Sequence, residues 1–372
     1  MAGIYIHVPF CQSRCVYCDF YSTTLLAHRK AYIEAVCREL NHRLPELQGE
    51  SITTVYFGGG TPSTLDIEDL HRILESLGNL EATNEITLEA NPDDLTEEYI
   101  QELRTLPINR ISLGIQSFHD STLQLIGRRH TAQEAIDAVR RLQQAGVTNI
   151  SIDLIYGLPG ETLDDWMYSL DQAISLDVKH ISAYHLTYEE GTRLWHMQEQ
   201  GMVLPIDEEQ SIRSFELLRE KLLTAGYEHY EISNFALPGH YSRHNSSYWK
   251  GFKYIGVGPG AHSYDGHNRR WNLSNLTNYI ATPQGEDVPH ETESLTTEEQ
   301  YDERIITELR TAHGIDLNKL RIDFGEQYYT HCMHCATPYI KRGQLVHTES
   351  NFLHLTPESI FISDAVMRDL LY

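Results

Sequence analysis

From residue 4 to about 230 the chain alternates short β-type runs with amphipathic helical stretches, and this alternation restricts the fold more than any other feature. The strand candidates are Ile4–Val8, Thr53–Phe57, Ile86–Ala90, Arg110–Ile115, Asn149–Ile155 and His180–Leu186. Between them apolar residues recur at helical spacing. Ile33, Val36, Cys37, Leu40 and Leu44 do so first, followed by Asp66–Leu77, Thr96–Leu106, Ala132–Ala145, Leu163–Leu176 and Asp207–Ala225. Several strands read as near-continuous apolar runs, the pattern of parallel strands covered on both faces. Serial βα units predict a parallel α/β barrel. Six units in place of eight predict an open, partial (β/α)6 barrel over residues 1–230, with any site at the C-terminal strand ends.

The composition changes after residue 230. Gly, His, Asn, Tyr and Trp crowd residues 233–273 without a helical period, and Thr282–Glu298 is polar and acidic. Residues 231–290 therefore read as an irregular β extension ending in a linker. Residues 291–372 predict helices at Gln300–Ala312, Leu317–Phe324 and Gln327–Arg342. Strand-like pieces at Leu345–His347 and Phe352–Leu355 follow, then a last helix from Pro357. That order suits a small α+β, winged-helix-like module.

Charge narrows the partners. Lys and Arg total 29 against 53 Asp and Glu, a net charge of −24, with no basic stripe. Nucleic acid is not an expected partner. No run approaches the ~20 apolar residues that span a bilayer. Six cysteines, three of them within eight residues, suit a metal site in a reducing compartment. The expected location is cytoplasmic, with any contact to the cytoplasmic membrane made through partners.

Those three are Cys11, Cys15 and Cys18, spaced C-x3-C-x2-C directly after the first strand. The spacing suits thiolates at three corners of a [4Fe–4S] cluster, which ordinarily takes four cysteines; the fourth iron is then open to a small molecule. The alternatives are plain loop thiols or a partial zinc site. Structural zinc wants four ligands, and His7 lies back in the strand beyond Pro9. Phe20 stands where a fourth cysteine would be. Tyr17, inside the motif, is placed to shield a cluster. Gly58-Gly59-Gly60-Thr61-Pro62 follows the second strand and lets the backbone approach a ligand closely. Glu89, Gln116, Arg128 and Asp153 lie near successive strand ends, where a barrel points polar groups to one mouth. A carboxylate there accepts from ribose hydroxyls, and a guanidinium pairs with a carboxylate.

Two later motifs stay open on their residues alone. His244 beside Tyr248 and Trp249 is either an axial haem ligand with aromatic packing or part of a turn leading into a strand, and the turn is favoured. His331-Cys332-Met333-His334-Cys335 is either a metal-binding group or a helical segment. Ala336 after Cys335 removes the CxxCH reading. Gly256–Tyr264 reads as a tight structural turn.

With Tyr5–Cys11, Leu88–Pro92, Gly114–Ser117, Asp153–Pro159 and Ile255–Tyr264, these motifs resemble the coproporphyrinogen-oxidase-like radical S-adenosylmethionine (SAM) family over about residues 4–370. The resemblance implies that Cys11, Cys15 and Cys18 hold a [4Fe–4S] cluster whose open iron binds SAM. It also implies a SAM site formed by Tyr5, Gly59, Gly60, Thr61, Glu89, Gln116, Arg128 and Asp153, with Tyr17 beside the cluster. Gly60, Thr61, Gln116, Arg128 and Asp153 include positions that contact a second SAM in the dehydrogenase members. Those members oxidise coproporphyrinogen III through a 5′-deoxyadenosyl radical and carry a CxxxCxxCxC motif, whose last cysteine is Phe20 here. Haem-chaperone members carry HNxxYW, which His244-Asn245-Ser246-Ser247-Tyr248-Trp249 fits at every fixed position. The resemblance thus implies haem as cargo at His244, Tyr248 and Trp249, for delivery to haem-accepting apo-proteins such as respiratory enzymes. No catalytic residue is assigned. A porphyrinogen-oxidising enzyme is the rival expectation, and the open iron is compatible with a cluster-bridged homodimer.

Overall fold

Parallel strands need a crossover of a dozen or more residues, and the chain supplies one after each strand. The computed structural model describes residues 1–372. Strands β1 (Ala2–Val8), β2 (Ile52–Gly59), β3 (Glu85–Ala90), β4 (Arg110–Gln116), β5 (Ile150–Tyr156) and β6 (His180–His185) pair in parallel in chain order. Helices Arg29–Arg43, Ile67–Ser76, Glu97–Leu103, Ala132–Gln144, Leu163–Ser175 and Glu208–Thr224 lie in the six βα units. Thr131 and Thr162 start two of them with capping boxes, each worth about 1 kcal/mol.

The sheet grows at both sides. On β6 it adds β8 (Asn234–Ala236) and then β7 (Glu228–Glu231), both antiparallel. On β1 it adds β9 (Lys253–Val257), which is parallel. Antiparallel β10 (His262–Tyr264), β11 (Asn268–Asn272) and β12 (His290–Ser294) continue outward. The result is one open twelve-stranded sheet with β12 and β7 at its edges. The expected partial barrel is present, enlarged by a seventh parallel strand that has no sequence signal of its own. The stretch expected as a linker contributes β12, held by main-chain pairing with β11 and not by apolar burial.

The expectation that the strands are apolar on both faces is corrected. Side chains alternate between faces, and the alternation here is strict. Ile4, Ile6, Val8, Val55, Phe57, Ile86, Leu88, Ile111, Leu113, Ile152 and Leu154 join the helices in one hydrophobic core. Each fully buried aliphatic side chain there contributes roughly 1.5–3 kcal/mol. The intervening positions are Tyr5, His7, Thr54, Tyr56, Glu85, Glu89, Ser112, Ser151, Asp153, His180 and Ser182. The concave face is therefore largely polar, with Ile155 an apolar exception at the cavity.

The turn expected at Gly256–Tyr264 joins β9 to β10. Buried Glu39, from the first helix, accepts from the Gly258 amide at 2.9 Å, Asn272 Nδ2 at 2.7 Å and the Tyr279 hydroxyl at 2.6 Å.

Residues from Thr297 onward have a separate core that includes Tyr301, Ile305, Leu309, Cys332, Ala336, Leu353 and Val366. It lies among four helices and a small sheet of β13 (Ile315–Asp316), β14 (Leu345–His347) and β15 (Phe352–Leu355). The His331–Cys335 group sits inside the helix Glu326–Lys341. Cys332 is fully buried in that core, and His331 Nε2 bonds the Leu371 carbonyl at 2.7 Å. The module joins the barrel at β7, where Ile232 N donates to Arg310 O and Ala312 N to Tyr230 O.

Candidate functional site

At the C-terminal strand ends the concave face opens into a cavity of about 540 Å³, a size typical of small-molecule sites. Cys11, Cys15, Tyr17, Cys18, Gly59, Gly60, Thr61, Glu89, Gln116, Arg128 and Asp153 all line it. The fold thus brings together eleven side chains and backbones singled out from six separate stretches of sequence. Phe20 stands at the same cavity and is 61% exposed.

The cysteine loop is fixed by its backbone. Thr23 N donates to Pro9 O at 2.7 Å and Cys11 N to Thr23 O at 2.9 Å, closing the loop at its base. Val16 N bonds Ile126 O and Leu194 N bonds Val16 O, pinning its far side. Gly60 N and Thr61 N donate to Val8 O and Phe10 O at 2.8 and 2.7 Å. The glycines are needed for this approach. Gly59 has φ +105°, and a Cβ there would lie 2.6 Å from the His7 ring; one on Gly60 would lie 2.7 Å from Phe10 O. His7 is no metal ligand. Its Nε2 donates to Tyr21 O at 2.8 Å, so Nδ1 is free to accept from the Tyr5 hydroxyl at 3.1 Å. Tyr5 therefore lies beneath the cavity, outside its lining.

The donor set fits an iron–sulfur cluster. No three His, Cys, Asp or Glu side chains converge where one ion could sit. The three thiols instead share one cavity wall, as a polynuclear cluster taking one thiolate per iron requires. Burial raises the Cys11 thiol and pushes Cys18 up to about 11, with neighbouring thiols adding to both. They stay protonated until a cationic partner arrives. Thr61 Oγ1 donates to Cys11 Sγ and Arg128 Nη1 to Cys15 Sγ, both at 3.5 Å.

Across the cavity are two carboxylates. Burial pushes Glu89 up to about 7 and Asp153 up to about 6. Glu89 is held by the Tyr56 hydroxyl at 2.7 Å and the Gly59 amide at 3.2 Å, and Asp153 by Ser112 Oγ at 3.4 Å. Gln116 has φ +72°, at a bulge where β4 slips against β5; such left-handed backbone is strained for glutamine and concentrates at binding sites. Its amide and Arg128 pack over Gly114, where a Cβ would lie 3.0 and 3.2 Å from them.

Sequence reasoning passed over Asn91, whose Oδ1 accepts from Arg128 Nη2 at 2.6 Å. It also passed over Arg129, paired with Asp93 at 2.8 Å and Asp94 at 2.9 Å. Both stand within two residues of a selected one, and that proximity was the available signal.

His244, Tyr248 and Trp249 are not at this cavity. They lie on the helix Arg243–Trp249, which closes the N-terminal end of the barrel. Ser242 caps it, and the buried Glu85 carboxylate accepts from the amides of Arg243 and His244 at 3.0 and 2.9 Å. The i,i+4 spacing of the motif puts Tyr248 against His244. His244 is 1% exposed. Its Nδ1 meets Thr54 Oγ1 at 2.8 Å and its Nε2 the Tyr248 hydroxyl at 2.7 Å, and burial lowers it to about 3. The expected turn is thus a short helix leading into β9. Trp249 faces the C-terminal module, with Arg310 4.7 Å from its ring centroid.

An open parallel sheet with a cysteine-lined cavity at its C-terminal strand ends defines a radical SAM protein, and residues 5–173 match the radical SAM superfamily. The heme chaperone HemW of Lactococcus lactis is 34% identical over 371 residues, spanning 99% of this chain and 96% of its own. That of Bacillus subtilis is 32% identical over 377 residues, spanning 100% and 99%. The chain belongs to the HemW family. Its fold is similar to that of coproporphyrinogen III oxidase (HemN) from Escherichia coli, with a TM-score of 0.85 at 20% identity over 100% of this chain and 90% of that one. No helix is long and apolar enough to cross a membrane.

Proposed function

We propose that this chain is a haem-binding chaperone that hands haem to haem-requiring proteins such as respiratory enzymes, from a scaffold that also binds a [4Fe–4S] cluster and SAM. The observation that carries this reading is the end-to-end similarity to proteins described as heme chaperones. Phe20, where the dehydrogenase pattern needs a fourth cysteine, supports it.

Cys11, Cys15 and Cys18 hold the cluster, with Thr61 and Arg128 stabilising two thiolates. When bound, the cluster supplies one-electron chemistry at an iron open to SAM. Glu89 and Asp153 on the opposite wall would offer carboxylates to the SAM cation, and Gln116 and Arg128 would offer hydrogen bonds to its polar groups. Haem is carried at the far end. Bonding of its iron to His244 Nε2 replaces the Tyr248 hydroxyl and leaves Nδ1 on Thr54, the kind of outer partner that fixes a ligating imidazole. Tyr248 and Trp249 then pack on the porphyrin.

Haem titration of the anaerobically reconstituted chain tests this reading. Saturable binding with a defined Soret band, lost in His244→Ala, is expected. A His244→Ala chain that binds haem as the parent does removes the site assignment. The intact cavity favours the enzyme as the second reading. Porphyrinogen-stimulated release of 5′-deoxyadenosine without specific haem binding would establish it.

A further inference from the structure

The two ends of the barrel are joined along one strand. Thr54, Tyr56 and Gly58 are successive inward positions of β2. Thr54 holds His244 Nδ1. The Tyr56 ring stacks on the His244 ring, with centroids 5.1 Å apart and planes at 24°, and its hydroxyl donates to Glu89 Oε1 at 2.7 Å. On its flank Tyr5 stacks at 6.2 Å. Gly58 leaves the space all three need, because a Cβ there would lie 2.8 Å from Tyr56, 3.0 Å from Tyr5 and 3.1 Å from Glu89. Tyr56 is therefore wedged between the buried histidine below and the cavity carboxylate above. Glu89 has no side-chain hydrogen-bond partner besides Tyr56.

We propose that Tyr56 is a positioning residue for Glu89, and that through it the helix Arg243–Trp249 and the SAM cavity are energetically linked. The second half rests on the haem reading of His244. To open His244 Nε2 to iron, Tyr248 leaves and the His244 ring tilts about its retained Thr54 bond, which changes its stack on Tyr56 and the place of the Tyr56 hydroxyl beneath Glu89. Haem then weakens SAM, and by reciprocity SAM weakens haem by the same factor. A Tyr56 that merely fills the barrel interior would change stability but not SAM affinity at constant cluster content.

SAM is titrated by equilibrium dialysis into the anaerobically reconstituted full chain, with iron content measured in parallel, in the presence and absence of one equivalent of hemin. Tyr56→Phe keeps the ring stack and removes the hydroxyl. It is expected to bind SAM about tenfold more weakly at unchanged iron content, the factor of one hydrogen bond to a charged group. Hemin is expected to weaken SAM several-fold in the parent and to have no such effect in Tyr56→Phe. An unchanged SAM affinity in Tyr56→Phe overturns the positioning role. Saturable hemin binding that leaves the parent's SAM affinity unchanged overturns the linkage and spares the haem reading. Absence of saturable hemin binding overturns the haem reading and the linkage together, and Tyr56→Phe still decides the positioning role. Should Tyr56→Phe lose iron, Thr54→Val replaces it, freeing His244 without touching the cavity. Weaker SAM binding there supports the linkage and unchanged binding overturns it, while SAM bound per remaining iron in Tyr56→Phe decides the positioning role.

Discussion

The upper and lower ends of one barrel interior are built from the same polar face of the same strands, yet they are finished in opposite ways. At the top, burial pushes two carboxylates up to about 7 and about 6, Gln116 sits in left-handed backbone, Arg128 Nε is buried without a partner and the space is open. At the bottom, Glu85 caps a helix with both oxygens, and His244 and His180 each have a partner on both ring nitrogens. The contrast lies in the open space and the strained backbone at the top, against the doubly bonded histidines at the bottom. Within HNxxYW His244 is saturated on both nitrogens while Trp249 Nε1 is buried without a partner, so haem ligation by His244 requires an opening that cluster and SAM binding do not.

The largest test of that contrast is Cys15→Ala. It is expected to abolish cluster reconstitution, read as iron content and visible absorbance, while leaving the thermal midpoint of the cluster-free chain unchanged. A collapse of the cluster-free fold would show that the upper end is structural too. Next in size is Gly59→Val, which meets both φ +105° and the His7 ring. It is expected to cost about 3 kcal/mol or more in urea unfolding.

The ends also respond oppositely to pH. Glu89 lies at about 7 in the folded chain, above its ordinary 4.5. Its contribution to stability is full below pH 4.5 and is lost as pH rises through 7. His244 lies at about 3, below its ordinary 6.5. Its contribution is full above pH 6.5 and is lost as pH falls toward 3. The Glu89 limb is on the order of 3 kcal/mol and the His244 limb on the order of 5 kcal/mol. In urea midpoints measured against pH, Glu89→Gln is expected to remove the loss of stability between pH 4.5 and 7, and His244→Gln the loss as pH falls from 6.5 toward 3. One variant flattening both would dissolve the distinction between the ends. The smallest expected effect is Phe20→Ser. This exposed rim residue should alter stability by less than about 0.5 kcal/mol, checked in the same urea assay.

The repeating βα pattern was legible because each helix carries apolar residues at one angular position and each strand is long enough to show a period. The polar concave face was present in the sequence as well, in Ile4-Tyr5-Ile6-His7-Val8 and Ile150-Ser151-Ile152-Asp153-Leu154. Tyrosine, threonine and serine pass as β-formers, so the alternation was read as continuous apolarity. The cavity residues were found because their motifs stand at strand ends. Residues 233–273 were not legible, because the seven-residue helix and the short β9 owe their form to partners far away in sequence. Glu85 caps the helix, and β1 accepts β9 as a parallel neighbour. The closed environment of His244 likewise depends on Thr54, 190 positions earlier, which no local pattern reveals.

The two edges of the large sheet bear on how the chain behaves in a crowd. The β7 edge is covered by main-chain bonds from the C-terminal module. The β12 edge, His290-Glu291-Thr292-Glu293-Ser294, is exposed along its whole length. Its outward peptide groups are a template on which another extended chain can add, and the acidic side chains of Glu291 and Glu293 guard it against a second copy of itself. In concentrated solution this five-residue edge thus carries two carboxylates that oppose its pairing with another copy.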